Sequence, residues 1–159
     1  MCGDAVVNRV HFSSVTDRWA TPEALYGVLD SEFNFNFDPC PLDGHEDGLS
    51  ELFVSWRGKR VFCNPPYGPG IRAWLERGLE AEIAVFLLPV RTNAKWFHEV
   101  VLPKAAEIRF IKGKLRFGGA KWDAPFPSMV VIFKPVKFWP STSADDPVDL
   151  QVDRQIGRG

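Results

Sequence analysis

The tetrapeptide Asn64-Pro65-Pro66-Tyr67 follows the apolar run Val61-Phe62-Cys63, which places it where a buried strand would end. Its residue types suit one chemistry, the methylation of a planar amino group. An exocyclic amine on a nucleobase has its lone pair delocalised into the ring, and it attacks a methyl sulfonium only when that pair is released. An Asn side-chain oxygen and a fixed main-chain carbonyl can accept the two N–H bonds and favour the tetrahedral nitrogen. Two successive prolines stiffen the segment. Each fixes φ and lacks an N–H, so the Pro65 carbonyl can be held in the site with little entropy left to lose. Tyr67 offers a flat face for a base to stack on. The same four residues also suit a Pro-rich turn after an edge strand, with Tyr67 covering the core.

A second constellation lies upstream. Phe33, Phe35 and Phe37 alternate with Asn34 and Asn36, a strand pattern ending at Asp38-Pro39-Cys40-Pro41. At a strand end Asp38 can accept hydrogen bonds from the amine or hydroxyls of a cofactor, or it can cap its own turn, since Asp-Pro is ordinary turn chemistry. Asp43, Glu46 and Asp47 in the next loop are either ribose ligands or solvated acids. No metal site is expected, because the three histidines (His11, His45, His98) have no helical ligand spacing and the cysteines (Cys2, Cys40, Cys63) no C-x-x-C pair. The cysteines read as reduced thiols.

A third feature is charge distribution. Residues 1–83 carry 7 Lys and Arg against 13 Asp and Glu, whereas residues 84–140 carry 10 against 3, so the later segment is a basic block. Arg91, Lys95, Lys104, Arg109, Lys112, Lys114, Arg116 and Lys121 recur there among Trp96, Phe97, Phe110, Phe117 and Trp122. Phosphates are drawn by such cations and displaced bases are held by such aromatics, although the block also fits a solvated basic face.

These residues need a scaffold. A chain of 159 residues with 45% hydrophobic composition forms one domain with a sizeable core. Thr21-Pro22-Glu23 reads as an N-cap, a proline at the first helical position and an acidic first turn, opening a helix to about Phe33. Strands are expected at 33–37, 60–63, 84–88, 107–111 and 129–133, with helices over 71–82 and around 94–102. This alternation predicts an α/β fold with a mostly parallel sheet of about five strands and helices on both faces. In such sheets ligands lie outside the carboxyl ends of the strands, so Asp38 and Asn64 project onto one rim. An N-terminal arm over 1–16 and a flexible tail over 137–159 flank a domain over 17–136. The N-terminus lacks an apolar signal region and no apolar run approaches the ~18 residues of a membrane span, so the expected protein is soluble and cytoplasmic, with no membrane partner.

The ordered series Trp19-Ala20-Thr21-Pro22, Phe37-Asp38-Pro39, Asp47-Gly48-Leu49 with Trp56, and Asn64-Pro65-Pro66-Tyr67 resembles the phage-type DNA N6-adenine methyltransferases, the small Dam-like group. The resemblance continues through Leu88-Pro89, Arg91-Thr92, Trp96-Phe97, the run from Phe110 to Phe117, and Ala124-Pro125-Phe126-Pro127-Ser128. It implies S-adenosylmethionine as methyl donor, adenine in DNA as acceptor, and a Rossmann-like methyltransferase sheet, here reduced. It also implies Asn64, Pro65, Pro66 and Tyr67 as the residues that hold the target adenine. Trp19, Thr21, Asp38, Pro39 and Asp47 would bind the cofactor, and Arg91, Lys112, Lys114, Arg116 and Phe117 the DNA. Phe117 equally suits a core position beside Leu115. If the chain is phage-borne, its compartment is the bacterial host cytoplasm. A base inside a duplex must be flipped out to reach such a pocket.

One departure stands out. Asp38 and Asn64 are too close in sequence for further strand-helix units of roughly 30 residues each, so the sheet is reduced and the acidic residue that normally holds the ribose is missing or replaced from the loop 43–47. No separate recognition domain is expected, so sequence specificity is expected to be low, set by short loops, or supplied by a homodimer. Two alternatives follow: N4-cytosine or amide methylation, and a DNA-binding module of the same fold with impaired turnover.

Overall fold

The computed structural model describes residues 19–41, 48–50, 54–118 and 120–134. The arm over 1–16, the tail over 137–159, and Asp43, Glu46 and Asp47 lie outside these residues. In chain order the elements are helix α1 (Glu23–Phe33), strand β1 (Arg60–Cys63), helix α2 (Ile71–Gly78), strand β2 (Ile83–Pro89), a π-helical turn (Phe97–Val101) running into the short helix α3 (Leu102–Lys104), and strands β3 (Glu107–Phe110) and β4 (Ser128–Phe133).

The sheet has the order β1-β2-β4-β3. β2 and β4, the two inner strands, are buried almost throughout, as strands covered on both faces must be. The expectation of a mostly parallel five-stranded sheet is corrected. Only β1 and β2 pair in parallel; β4 pairs antiparallel with both β2 and β3. The reason is topological: β4 returns from β3 and inserts beside β2, so it alone runs against the other three strands. The strand expected at 33–37 is a single parallel bridge, Phe37 to Val61. The residues before it are spent on ending α1. Asn34 takes a left-handed conformation with φ 52°, the Asn34 and Phe35 N–H groups donate to the Asp30 carbonyl and carboxylate, and the Asn36 side chain accepts from the Arg60 N–H. The Asp30 bonds are helix-capping chemistry, and because the Asn36 side chain takes the Arg60 N–H, the segment keeps only two backbone bonds to β1, Asn36 N–H to the Arg60 carbonyl and Phe62 N–H to the Phe37 carbonyl.

Helices lie on both faces. Cross-strand partners share a face, so Phe62, Val85, Leu87, Val130, Ile132 and Ser128 point one way and Cys63, Phe86, Leu88, Met129, Val131 and Phe133 the other. The first face meets α1: Tyr26 packs edge-on against Phe62, Arg60 Nε donates to the Phe33 carbonyl, and Arg109 on β3 lies over the Phe33 ring. The second face meets α2 and the fully buried Trp56, which stacks on Phe86. α2 ends at Gly78 rather than continuing to 82. A Cβ there would sit 2.4 Å from the Phe86 ring, so only glycine lets the helix end approach the sheet this closely. The Arg72–Glu99 ion pair ties α2 to the π-helical turn. No helix of the described residues is long and apolar enough to cross a membrane.

Candidate active site

Asn64 leaves β1 at its carboxyl end, and strand alternation turns its side chain to the α1 face with Phe62. Its Nδ2 donates twice, to the Trp19 carbonyl and, at 3.0 Å, to Thr21 Oγ1. A carbonyl only accepts, so these partners dictate which end of the amide is nitrogen. The other end, Oδ1, is buried and has no hydrogen-bond partner. Leaving a buried acceptor unmatched costs about 1–3 kcal/mol. The fold thus orients an acceptor with two bonds and leaves it nothing to accept.

Thr21 reaches Asn64 because it does not cap α1. The N-cap position belongs to Pro22, without a side-chain cap, which corrects the expected Thr21 cap and frees its hydroxyl. On its other side the 19–21 segment is held by the loop between β3 and β4. Ala20 bridges Gly118, whose N–H donates to the Ala20 carbonyl at 2.8 Å. Four rings close over this junction. Trp19 lies 5.2 Å from Phe117 and 5.6 Å from Phe126, and Tyr67 lies 6.3 Å and 5.6 Å from the same two rings.

Pro65 is buried and Pro66 half-buried; the Pro66 carbonyl accepts from the Gly68 N–H at 3.0 Å. Tyr67 is buried, and its hydroxyl donates to the Leu87 carbonyl at 3.1 Å. Burial, then the neighbouring Cys63, pushes that hydroxyl's pKa well up, so it stays a donor. Tyr67 therefore presents no open stacking face in this state: it is buried, with Phe117 and Phe126 in T-shaped contact with it. Phe117, expected at the DNA, is 1% exposed. It packs against Trp19, Tyr67 and Phe126, the burial that its core alternative expects.

Beside Asn64 opens a pocket of about 290 Å³, walled by Trp19, Thr21, Asp38 and Asn64 together with Glu23, Tyr26, Cys40, Pro41 and Phe62. Three of the five residues expected at a cofactor thus meet Asn64. Pro39 is buried behind the wall, where a Cβ on Gly48 would fall 2.1 Å from its carbonyl oxygen; the Asp47-Gly48-Leu49 motif needs glycine for this crossing. Asp47 lies outside the described residues. Asp38 Oδ1 accepts from the Cys40 N–H at 2.9 Å, so the turn-capping role and a pocket position coexist. Burial foremost, then Asp30 and Asp38, raises the Tyr26 pKa, and burial pushes the Cys63 thiol up strongly, helped by Cys40 and Asp38. Glu23, Tyr26 and Phe62 were missed from sequence, yet signals existed. Glu23 and Tyr26 are three apart on one helix face, and Phe62 is two residues before Asn64 on one strand face.

Arg91 follows β2, and Lys112, Lys114 and Arg116 follow β3; all four are exposed at the carboxyl rim that holds Asn64. Arg116 also pairs with Asp123 at 3.0 Å. Arg109 of the basic block is committed elsewhere, to Glu32 and Glu107 at 2.6 Å each. The exposed aromatics among these cations are Phe110 at 64% and Trp122 at 74%, the latter with Lys121 Nζ 5.5 Å from its ring. Among the described residues no cluster of His, Cys, Asp and Glu could hold a metal ion.

No solved structure matches this chain significantly. A DNA N-6-adenine-methyltransferase of Haemophilus phage HP1 (strain HP1c1) is 28% identical, over 75% of this chain and 79% of that protein. The sequence model of the DNA N-6-adenine-methyltransferase (Dam) family matches residues 10–149, a span that contains Trp19, Asp38, Asn64 and the basic rim, and the chain belongs to that family.

Proposed function

We propose that this protein transfers the methyl group of S-adenosylmethionine to the N6 amine of adenine in DNA, with the base turned out of the helix into the Asn64 site. One observation carries the reading: Asn64 Oδ1 is oriented by two bonds through Nδ2, buried, and without a partner. An N6 amine has two hydrogens to give. Oδ1 and the Pro65 carbonyl accept them, which draws the nitrogen towards tetrahedral geometry and frees its lone pair. Because Oδ1 is sealed in this state, the base reaches it by displacing part of the wall.

The pocket of about 290 Å³ lies at the lower edge of the range for small-molecule sites, and its residues fit the cofactor's chemistry. Trp19, Tyr26 and Phe62 supply flat apolar faces, while Asp38 and Glu23 supply carboxylates for hydroxyl or amine donors. When bound there, S-adenosylmethionine supplies an electrophilic methyl on a positively charged sulfur, which departs with the bonding pair. Thr21 and Trp19 line the pocket and also fix Asn64, so the same segment serves both halves of the site. Arg91, Lys112, Lys114 and Arg116 meet phosphates, which offsets the few kcal/mol that flipping costs.

The test is transfer of labelled methyl from S-adenosylmethionine to unmethylated DNA, followed by digestion and separation of nucleosides. Label in N6-methyladenine is the expected result. Label in N4-methylcytosine would change the acceptor. Absence of label and of cofactor binding, with salt-dependent DNA binding retained, would make the chain a DNA-binding module.

A further inference from the structure

Two buried side-chain oxygens of the described residues lack a hydrogen-bond partner, Asn64 Oδ1 and Ser128 Oγ. Ser128 is 1% exposed and opens β4 at the rim where β1 and β2 end. Its backbone is in use, since its carbonyl accepts from the Ile111 N–H at 3.0 Å. The hydroxyl is spare. Such groups are rare in folded proteins, and each calls for a reason.

The register brings the two orphans to one face. Ser128 pairs with Pro89 and Val130 with Leu87, while Phe62 pairs with Val85, so continuing β1 by two residues sets Asn64 beside Leu87. Ser128 is then two strand spacings across, roughly 10 Å, and two residues along, roughly 7 Å. A ring system held between their side chains spans that interval. The aromatic cluster belongs to the same rim: Phe126, two residues before Ser128, packs on Trp19 and Tyr67, and Tyr67 reaches the carbonyl of Leu87.

We infer that Ser128 is a second polar contact for the flipped base, its hydroxyl donating to a ring nitrogen of the adenine whose amine is held by Asn64. This rests on the adenine reading above and assigns a second contact to the same base. With both amine hydrogens taken, the polar atoms left on adenine are ring nitrogens, which only accept. A serine hydroxyl can donate to them, and apolar residues of similar size cannot.

The experiment uses the full chain with Ser128→Ala, and DNA in which adenine is replaced throughout by 1-deazaadenine, 7-deazaadenine or 3-deazaadenine. Each analogue keeps the N6 amine and lacks one ring acceptor. Removing an orphan hydroxyl leaves the free protein as stable as before or slightly more so, so the expected melting temperature is unchanged or higher. Methylation of ordinary DNA is expected to fall about tenfold in kcat/KM, and on one of the three deaza substrates wild type and variant should become equal. Undiminished kcat/KM in the variant would overturn the assignment, as would a penalty that persists on all three analogues. A lower melting temperature with a matching loss of activity would also overturn it, because the hydroxyl would then be bonded to buried water in the free protein. Wild-type protein that forms no N6-methyladenine would instead sink the parent reading, and the two failures are told apart by that control.

Discussion

Replacing Asn64 with alanine tests the site and the fold together, because the side chain does two jobs. Its Nδ2 bonds to the Trp19 carbonyl and Thr21 Oγ1 fasten residues 19–21 to the end of β1. Each bond contributes about 1 kcal/mol net, while removing the unmatched Oδ1 returns part of its desolvation cost, so Asn64→Ala should lose at most about 2 kcal/mol. For a chain of this length that is a fall of no more than roughly 8 °C in melting temperature. Domains typically start from at least about 5 kcal/mol, so more than about 99% of the variant stays folded. Unfolding therefore cannot account for a large loss of turnover. Removing one preorganised polar partner from a reacting centre costs about a hundredfold or more, and a decline of that size in methyl transfer is expected. Thr21→Val is the control. It removes one of the two bonds, should lower the melting temperature by roughly 2–4 °C, and leaves Asn64 oriented by Trp19. At saturating cofactor its turnover should fall less than about tenfold. Calorimetry and labelled-methyl transfer on the three proteins decide the matter. Full activity in Asn64→Ala, or a loss in Thr21→Val as deep as in Asn64→Ala, would refute the argument.

Replacing Lys112 and Lys114 with alanine should weaken DNA binding at every sequence and lower the magnitude of the salt slope, log K against log salt, by about 0.9 for each phosphate that is no longer neutralised; an unchanged slope would remove these residues from the interface. Cys40 lines the pocket and Cys63 is buried with its thiol pKa raised. In a Cys2→Ser background a thiol reagent should therefore modify Cys40 before Cys63, and saturating S-adenosylmethionine should slow that modification; mass spectrometry of the labelled peptides would expose the contrary order or a lack of protection. Hydrogen bonds from Arg109 hold the Glu32 and Glu107 carboxyls below their usual range. A carboxylate whose pKa is depressed on folding adds stability that is present above its unfolded value, 4.5 here, and is lost as pH falls through the folded value. The melting-temperature gap between wild type and Arg109→Met should therefore be widest near neutral pH and shrink as the pH drops below about 4; a gap independent of pH would show that the ion pairs contribute nothing.

Much of the candidate site was legible because its chemistry is local. Asn64-Pro65-Pro66-Tyr67 announces itself through proline stiffness and an amide at a strand end, and Asp38-Pro39 through turn chemistry. Four of the five expected strands form near their expected places, since runs such as Ala84 to Leu88 have no alternative but burial. What sequence periodicity does not contain is pairing. Nothing local distinguishes β4 running against β2 from β4 running beside it, and that choice sets Ser128, rather than Phe133, at the rim with Asn64. The strand expected at 33–37 shrank to one bridge for a related reason: Asn34 was drawn into the helix end by Asp30, while the Asn36 side chain took the N–H of the distant Arg60. Phe117 shows the limit most sharply, because an aromatic residue among cations looks alike whether it faces DNA or packs on Trp19. Composition and short motifs determined which chemical groups were available. Only the tertiary structure decided which of them were satisfied and which were left orphaned, because a hydrogen-bond partner is fixed by distances across the sheet and between loops that no single stretch of chain encodes.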